Sequence, residues 1–229
     1  MSADKSDEKG SQYQSLRGMR DILPDDAALY RKVEDAFWDV ARTNGFREIR
    51  TPVLEPADLF TRTVGEGTDI IHKEMYTFED RSGNQVSLRP EGTASVARAY
   101  LQHGLTGWPQ PVKLAYNASM YRYERPQAGR FREHEQFGLE VFGSADPSVD
   151  AHIVTAVRQG LEALGVSDVT VQINSIGEDQ SKQRIRQLIV DTLEPIRKDL
   201  PEDDQRRLSD NPLRVLDSKE PKTLEILEQ

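Results

Sequence analysis

Met120-Tyr-Arg-Tyr-Glu-Arg-Pro-Gln-Ala-Gly-Arg-Phe-Arg-Glu-His-Glu-Gln-Phe-Gly-Leu-Glu-Val-Phe142 reads as strand, charged loop, strand. Side chains along a strand alternate between its two faces. Ahead of the loop, in the Tyr-containing segment Lys113 to Glu124, the residues Leu114, Tyr116, Ala118, Met120, Arg122 and Glu124 therefore share a face. Behind it, Glu135, Phe137, Leu139 and Val141 share one side, and His134, Gln136, Gly138 and Glu140 the other. An arginine set in a strand beside apolar neighbours is costly unless it holds an anion. An amide and a carboxylate two pleats apart, Gln136 and Glu140, backed by Phe137, Leu139 and Val141, make a pocket wall. The loop carries Arg125 and Arg130 around Pro126 and Gly129. Anion-binding guanidiniums beside a carboxylate-lined face suit a nucleotide and an amine-bearing substrate side by side. The same residues would also serve a plain antiparallel hairpin with a solvated, salt-bridged loop, because exposed charge pairs are common and contribute little.

The chain has 229 residues, enough for one sizeable domain or one and a half, and its 36% hydrophobic content can build a core. No apolar run approaches the roughly 18 residues of a membrane span. The start, MSADKSDEKGSQYQS, has no apolar segment and reads as a disordered tail over residues 1–15, not a secretory signal. There are no cysteines, which excludes disulfides, thiolate metal sites and a cysteine nucleophile, and fits a cytoplasmic protein. His72, His103, His134 and His152 have no metal-ligand spacing, so no protein metal site is expected. A net charge of −9 argues against a generally basic nucleic-acid surface, so any RNA contact must be local or lie outside this chain.

Asp25 or Asp26 can cap a helix running to about Asn44, with Leu29, Val33, Phe37 and Val40 on its apolar stripe and Gly45 where a C-terminal glycine belongs. Phe46 to Thr51 predicts a short strand stopped by Pro52. Leu54 to Gly67 reads as loop and short helix. Glu74–Glu79 and Gln85–Leu88 read as strands around the turn Asp80-Arg-Ser-Gly83. Thr93 is a fair N-cap for a helix over Ala94 to His103. After the hairpin come an amphipathic helix, Ser148 to Leu164, and a strand, Val169 to Ile173. The charged stretch Glu178 to Leu208 reads as two helices split near Pro201, followed by a final periodic run from Thr223. Helices interleaved with antiparallel hairpins predict an α+β fold, not a doubly wound parallel sheet.

Arg122-Tyr-Glu124-Arg125-Pro126 followed by Gly129-Arg130-Phe131-Arg132 resembles the motif 2 hairpin of class II aminoacyl-tRNA synthetases, and within that class the histidyl-tRNA synthetases most closely. Arg17-Gly-Met-Arg-Asp-Ile-Leu-Pro24 resembles the opening of that family's catalytic domain. Gly45-Phe-Arg-Glu-Ile-Arg-Thr-Pro52, with the helix before it, is similar to motif 1, which builds the family's dimer interface. Lys73-Glu-Met-Tyr-Thr-Phe78 and Leu88-Arg-Pro-Glu-Gly-Thr93 are the more specific matches. Asn174-Ser-Ile-Gly177 and Asn211-Pro-Leu-Arg-Val-Leu-Asp-Ser218 resemble the entry to the family's helical insertion domain. The resemblance implies an antiparallel class II sheet flanked by helices. Residues 16–173 would be the first part of the catalytic core and 174–229 the start of the insertion domain.

The implied activity is ATP-dependent activation of histidine to histidyl-adenylate, then transfer to tRNA(His). Its first step needs fixed cations where charge collects on phosphate. By resemblance, Arg122 is the motif 2 arginine bridging the α-phosphate and the substrate carboxylate, a task for a planar fork. Glu124 matches the acceptor for the adenine amino group, and Arg130 a second arginine on the phosphates. Glu91, Gly92 and Thr93 match the stretch that holds the α-amino group, as does Gln136. Glu140 matches the carboxylate that takes the imidazole N–H. Mg2+ would arrive with ATP, held mostly by phosphate and water. The implied partners are histidine, ATP, tRNA(His) and a second copy through motif 1, in the cytoplasm.

Two departures accompany the match. Glu133-His-Glu-Gln136 stands where the family commonly has an aromatic residue and then histidine before the glutamine. The second histidine-specific stretch, motif 3 and the anticodon-binding domain do not occur, and the chain stops at Gln229 inside a helical pattern. The sheet is thus expected to end before its later strands, and the chain to be a fragment with little activity alone. The alternatives are a non-catalytic synthetase-like subunit that binds histidine to regulate its biosynthesis, and an interaction module.

Overall fold

The computed structural model describes residues 13–64, 74–125, 129–175 and 177–228, with backbone alone at 63 and 64. Residues 1–12 of the expected tail, His72, Lys73, Pro126 and Ile176 lie outside the described residues. The chain divides into two compact units, Met1–Val169 and Thr170–Gln229.

In the first unit, α1 (Pro24–Thr43) leads into β1 (Arg47–Glu48), β2 (Leu54–Pro56) and α2 (Ala57–Val64). Then follow β3 (Thr77–Glu79), β4 (Gln85–Leu88), α3 (Thr93–Gln102), β5 (Val112–Tyr121), β6 (Glu133–Phe142) and α4 (Pro147–Ala163). One sheet has the order β1-β5-β6, the other β2-β4-β3. β5 and β6 form the antiparallel hairpin, from Val112 opposite Phe142 to Tyr121 opposite Glu133. β1 joins β5 in parallel, and β4 pairs antiparallel with both β2 and β3. The α+β expectation holds.

The period-two pattern of the hairpin places a core on each face. Leu114, Tyr116 and Met120 pack with Val96 and Tyr100 of α3. On the other face Ala115 packs with Ala41 and Phe46, flanked by Trp38, Phe137, Leu139, Val141 and Ile153. Directly opposed residues of an antiparallel pair point to the same side. The face of Tyr116, Ala118 and Met120 is therefore also that of Gly138, Gln136 and His134.

Arg89 stitches the two sheets together. Its backbone N–H donates to Val53 O at 3.0 Å, and its own carbonyl accepts from Tyr121 N at 3.0 Å. Its side chain, only 6% exposed, donates from Nε to Ser119 O at 2.9 Å and from Nη1 to Thr51 O at 2.8 Å. A second tie runs from Arg98 of α3 to the buried Glu55 of β2, at 2.5 Å.

Several element boundaries differ from the sequence reading. The cap of α1 is Leu23, with no side-chain hydrogen bond and Pro24 in the first turn; Asp25 and Asp26 fall inside the helix, where they complement its dipole. Gly45, at φ 78°, sits just past the end as expected. Gly92, not Thr93, caps α3, and the Glu91 carboxylate accepts from Thr93 N at 2.6 Å and Ala94 N at 2.8 Å. β1 is two residues long, and β3 starts at Thr77. β5 ends at Tyr121, leaving Arg122 and Glu124 in the loop that follows, with one further ladder bond from Arg122 N to Arg132 O. Val169 to Ile173 is irregular, with Ile173 79% exposed. A strand exists only with a partner for its ladder, and β-branched residues alone do not supply one.

The second unit contains α5 (Asp179–Leu193), α6 (Glu202–Asp210) and α7 (Pro221–Leu227), joined by 3-10 turns at Glu194–Asp199 and Pro212–Val215. The charged stretch thus breaks first at Leu193, one residue before the 3-10 turn that holds Pro195, and not only near Pro201. Ile189, Leu193, Leu200, Leu208 and Val215 form its core. Asp204, fully buried, accepts from Ser218 Oγ at 2.5 Å and Thr223 Oγ1 at 2.6 Å, and pairs with Arg207 at 2.9 Å.

Candidate active site

The N-terminus of α3 and the face of β6 meet at a polar cluster. Thr93 Oγ1 donates to Glu140 Oε1 at 2.7 Å. Glu91 stands close enough for its charge to act on Glu140. Burial, first of all, and then the Glu91 charge push the Glu140 carboxyl above its ordinary value, against hydrogen bonds from Thr93 and Tyr116. Two carboxylates in one partly desolvated place prefer a cationic or N–H-rich guest. Gln136 and Glu140 share a face, two pleats apart, and the Gln136 amide oxygen is buried with no hydrogen-bond partner. A buried acceptor without a donor is costly, and an ammonium or N–H from a ligand would satisfy it.

Gly92 and Gly138 leave room for the Tyr116 ring beside this cluster. A Cβ on Gly92 would stand 2.3 Å from the Tyr116 ring, and one on Gly138 2.2 Å from it. The backbone of Gly92 is therefore closely approached by a tyrosine of the protein itself.

Arg122 borders the cluster through the residue before Glu91. Its Nε donates to Pro90 O at 2.8 Å, which fixes the guanidinium plane. Nη1 lies 3.9 Å from Glu124 Oε1, an ion pair longer than a hydrogen bond. Arg130 approaches Glu124 Oε2 at 3.4 Å and is half exposed. Arg132 donates from Nε to Glu124 O at 3.2 Å and stacks on the Tyr123 ring, 3.7 Å from its centroid. A cleft of about 500 Å³ lies between Arg17, Tyr123, Glu124, Arg125 and Arg132.

His134, the departure from the family pattern, sits opposite Met120 on the face of Gln136. Burial, then the Arg122 charge, hold its imidazole below the usual histidine value. It is therefore a neutral group beside Arg122 near pH 7.

The structure thus brings Glu91, Thr93 and Glu140 into one cluster with Gln136 on the same face, and Arg122, Glu124 and Arg130 into another beside it. Sequence reasoning left three residues without a role: Tyr116, Gly138 and Arg89. A tyrosine directly across the hairpin from a glycine, with a second glycine at the neighbouring helix start, was the available signal for the first two. Among the described residues no group of three His, Cys, Asp or Glu could hold a metal.

The sequence profile described as histidyl-tRNA synthetase matches residues 18–178, which include every residue of both clusters. The chain belongs to the histidyl-tRNA synthetase family. It is 46% identical over 216 residues to the histidine–tRNA ligase of Synechococcus sp. (strain JA-3-3Ab), covering 94% of this chain and 52% of that protein. To the enzyme of Lysinibacillus sphaericus (strain C3-41) it is 48% identical over 204 residues, covering 89% of this chain and 48% of the relative. The chain spans about half the length of the curated relatives it matches.

Among solved structures, apo S. aureus histidyl-tRNA synthetase superimposes with a TM-score of 0.71 at 34% identity, covering 94% of this chain and 50% of that one. A Bacillus halodurans protein described as ATP phosphoribosyltransferase regulatory subunit/histidyl-tRNA synthetase follows with a TM-score of 0.63 at 26% identity, covering 91% and 56%. The class II synthetase fold read from the hairpin motif is thereby established for this member of the family.

Proposed function

We propose that this chain carries the histidine and ATP contacts of a histidine–tRNA ligase made by the first half of the catalytic domain. The observation that carries the reading is the juxtaposition of the Glu91–Thr93–Glu140 cluster and the partnerless Gln136 amide oxygen with the guanidinium of Arg122, held at Pro90 beside Glu91. In this reading Glu91, Gly92, Thr93 and Gln136 surround the α-amino group, and Glu140 accepts the imidazole N–H. A pocket that hydrogen-bonds a substrate's polar edge rejects apolar look-alikes by about 10⁴-fold or more.

Arg122 then bridges the histidine carboxylate and the α-phosphate of ATP. A carboxylate oxygen attacks the α-phosphorus while the bond to the β-phosphate oxygen breaks, and pyrophosphate leaves. The guanidinium stabilises the charge that builds on the phosphate oxygens in the transition state. Glu124 accepts from the adenine amino group, and Arg130, now 3.4 Å from Glu124, turns to the phosphates. The chain offers Mg2+ no ligand cage among its described residues, so the ion would be held by the nucleotide's phosphates, where it neutralises their charge. Transfer to tRNA(His) and a homodimer through α1 and the segment after it belong to the same proposal. Leu29 and Val33 of α1, 63% and 45% exposed, support such an interface. The cytoplasm is the matching compartment.

The test is calorimetric binding of a non-hydrolysable histidyl-adenylate analogue to this chain, with another aminoacyl-adenylate analogue as control. Selective binding of the histidyl compound is expected, and no selectivity in a folded chain overturns the reading. In the whole protein, Arg122→Ala should lower histidine-dependent pyrophosphate exchange by about 10²–10³-fold.

The likeness to the Bacillus halodurans protein favours a second reading, a histidine-binding regulatory subunit. Histidine binding that ignores ATP and survives Arg122→Ala would select it.

A further inference from the structure

The Thr93–Glu140 hydrogen bond lies beside Tyr116. Tyr116 of β5 lies directly opposite Gly138 of β6, and its ring fills the slot between Gly138 and Gly92. The residue is 4% exposed and belongs to the cluster of Val96, Leu114 and Met120. Its hydroxyl lies 2.4 Å from where a Cβ on Gly92 would stand and 2.4 Å from one on Gly138, which places it beside Thr93, the next residue after Gly92, and on the face of Glu140. Phenylalanine would fill the same slot, so the hydroxyl is what distinguishes tyrosine here.

Burial and Glu91 favour the protonated form of Glu140, and the two hydroxyl donors oppose them. Glu91, ahead of α3, and Tyr116, on β5, are the titratable groups acting on Glu140; Arg89 acts in turn on Tyr116. The Tyr116 hydroxyl is itself pushed up to about 12 by burial, then by Glu140 and Glu91, so it stays a donor at every physiological pH. A carboxylate held by two hydroxyls keeps its plane and directs its remaining lone pairs at a ligand.

We propose that Tyr116 is a positioning residue of the amino-acid pocket, whose hydroxyl, together with that of Thr93, holds Glu140 as an oriented carboxylate and so favours side chains bearing an N–H or positive charge over neutral ones of the same shape. For its ligand this rests on the histidine reading above, but the state of Glu140 can be read with no ligand present.

Tyr116→Phe keeps the ring between the glycines and removes the hydroxyl. The titration of Glu140 is followed by carbon NMR of carboxyl-labelled glutamate in this chain, with the resonance assigned by its loss in Glu140→Gln. The Glu140 midpoint is expected at higher pH in Tyr116→Phe. Histidine affinity, measured by calorimetry, is expected to fall about tenfold near pH 6 and by less at pH 8. Superimposable titrations and pH profiles would mean that Tyr116 only packs, and the proposal falls. A midpoint that moves in a chain that binds no histidine keeps the role of Tyr116 and overturns the histidine reading. Should Tyr116→Phe not fold, Gly138→Ala, which displaces the ring, must move the midpoint in the same direction; an unmoved midpoint overturns the proposal.

Discussion

Replacing Arg89 by methionine should cost the fold about 3–5 kcal/mol, from two lost hydrogen bonds with a charged donor at about 1.5–3 kcal/mol each and partial relaxation around them. The two bonds run to Ser119 O at 2.9 Å and Thr51 O at 2.8 Å. Longer approaches of 3.4 Å to Thr51 Oγ1 and Pro52 O add little. Exchanging a buried ion pair for apolar residues is often harmless, because both charges leave together. That escape is closed here, since the acceptors are backbone carbonyls that stay behind when the guanidinium goes. Arg89→Lys should recover part of the loss, because one ammonium does not reproduce two divergent N–H vectors. The assay is urea unfolding followed by tryptophan fluorescence. With a slope of about 2–3 kcal/mol/M, the methionine variant's midpoint should drop by about 1–2.5 M. A midpoint within about 0.3 M of the parent at unchanged slope would refute the view that Arg89 joins the two sheets.

Gly138→Ala places a methyl 2.2 Å from the Tyr116 ring and should destabilise by about 1–3 kcal/mol while weakening histidine binding; a melt and affinity equal to the parent's would contradict the slot geometry. Glu140 binds its proton more tightly in the folded state than in the unfolded chain, so its charge opposes folding increasingly as pH rises through the raised value. Glu140→Gln should therefore melt no lower than the parent at pH 7, lose that advantage below the ordinary glutamate range, and bind histidine weakly throughout. A lower melting temperature at pH 7 would show that the charge supports the fold. Asp204→Ala strands the Ser218 and Thr223 hydroxyls that donate to its buried carboxylate, and should destabilise the second unit by about 3–5 kcal/mol, read as loss of amide protection across residues 202–223. Unchanged protection there would remove Asp204 from its place at the centre of that unit.

The hairpin was legible because alternation over ten residues a side is a strong signal, and because a one-residue slip would turn Phe137, Leu139 and Val141 away from their core. The site motifs were legible because Arg122-x-Glu124 and Pro90-Glu91-Gly92-Thr93 combine residue types that chance seldom combines. Local ends were less so. Asp25, Asp26 and Thr93 all have the chemistry of caps, but a cap also depends on the angle at which the chain enters the helix, and Leu23–Pro24 and Glu91–Gly92 set those angles here. Val169–Ile173 shows the converse: strand propensity is local, whereas pairing needs a neighbour that sequence position does not reveal.

By itself the sequence determined the α+β class, the hairpin with its alternating faces and the family, because these follow from periodicity and side-chain chemistry along the chain. Only the tertiary structure decided that Glu91 is engaged at the start of α3, that Arg89 joins the two sheets, and that a buried tyrosine between two glycines stands behind Glu140. The last two join residues of separate elements across a few ångströms of packed interior, and such distances are set by how elements pack and not by their spacing in the chain.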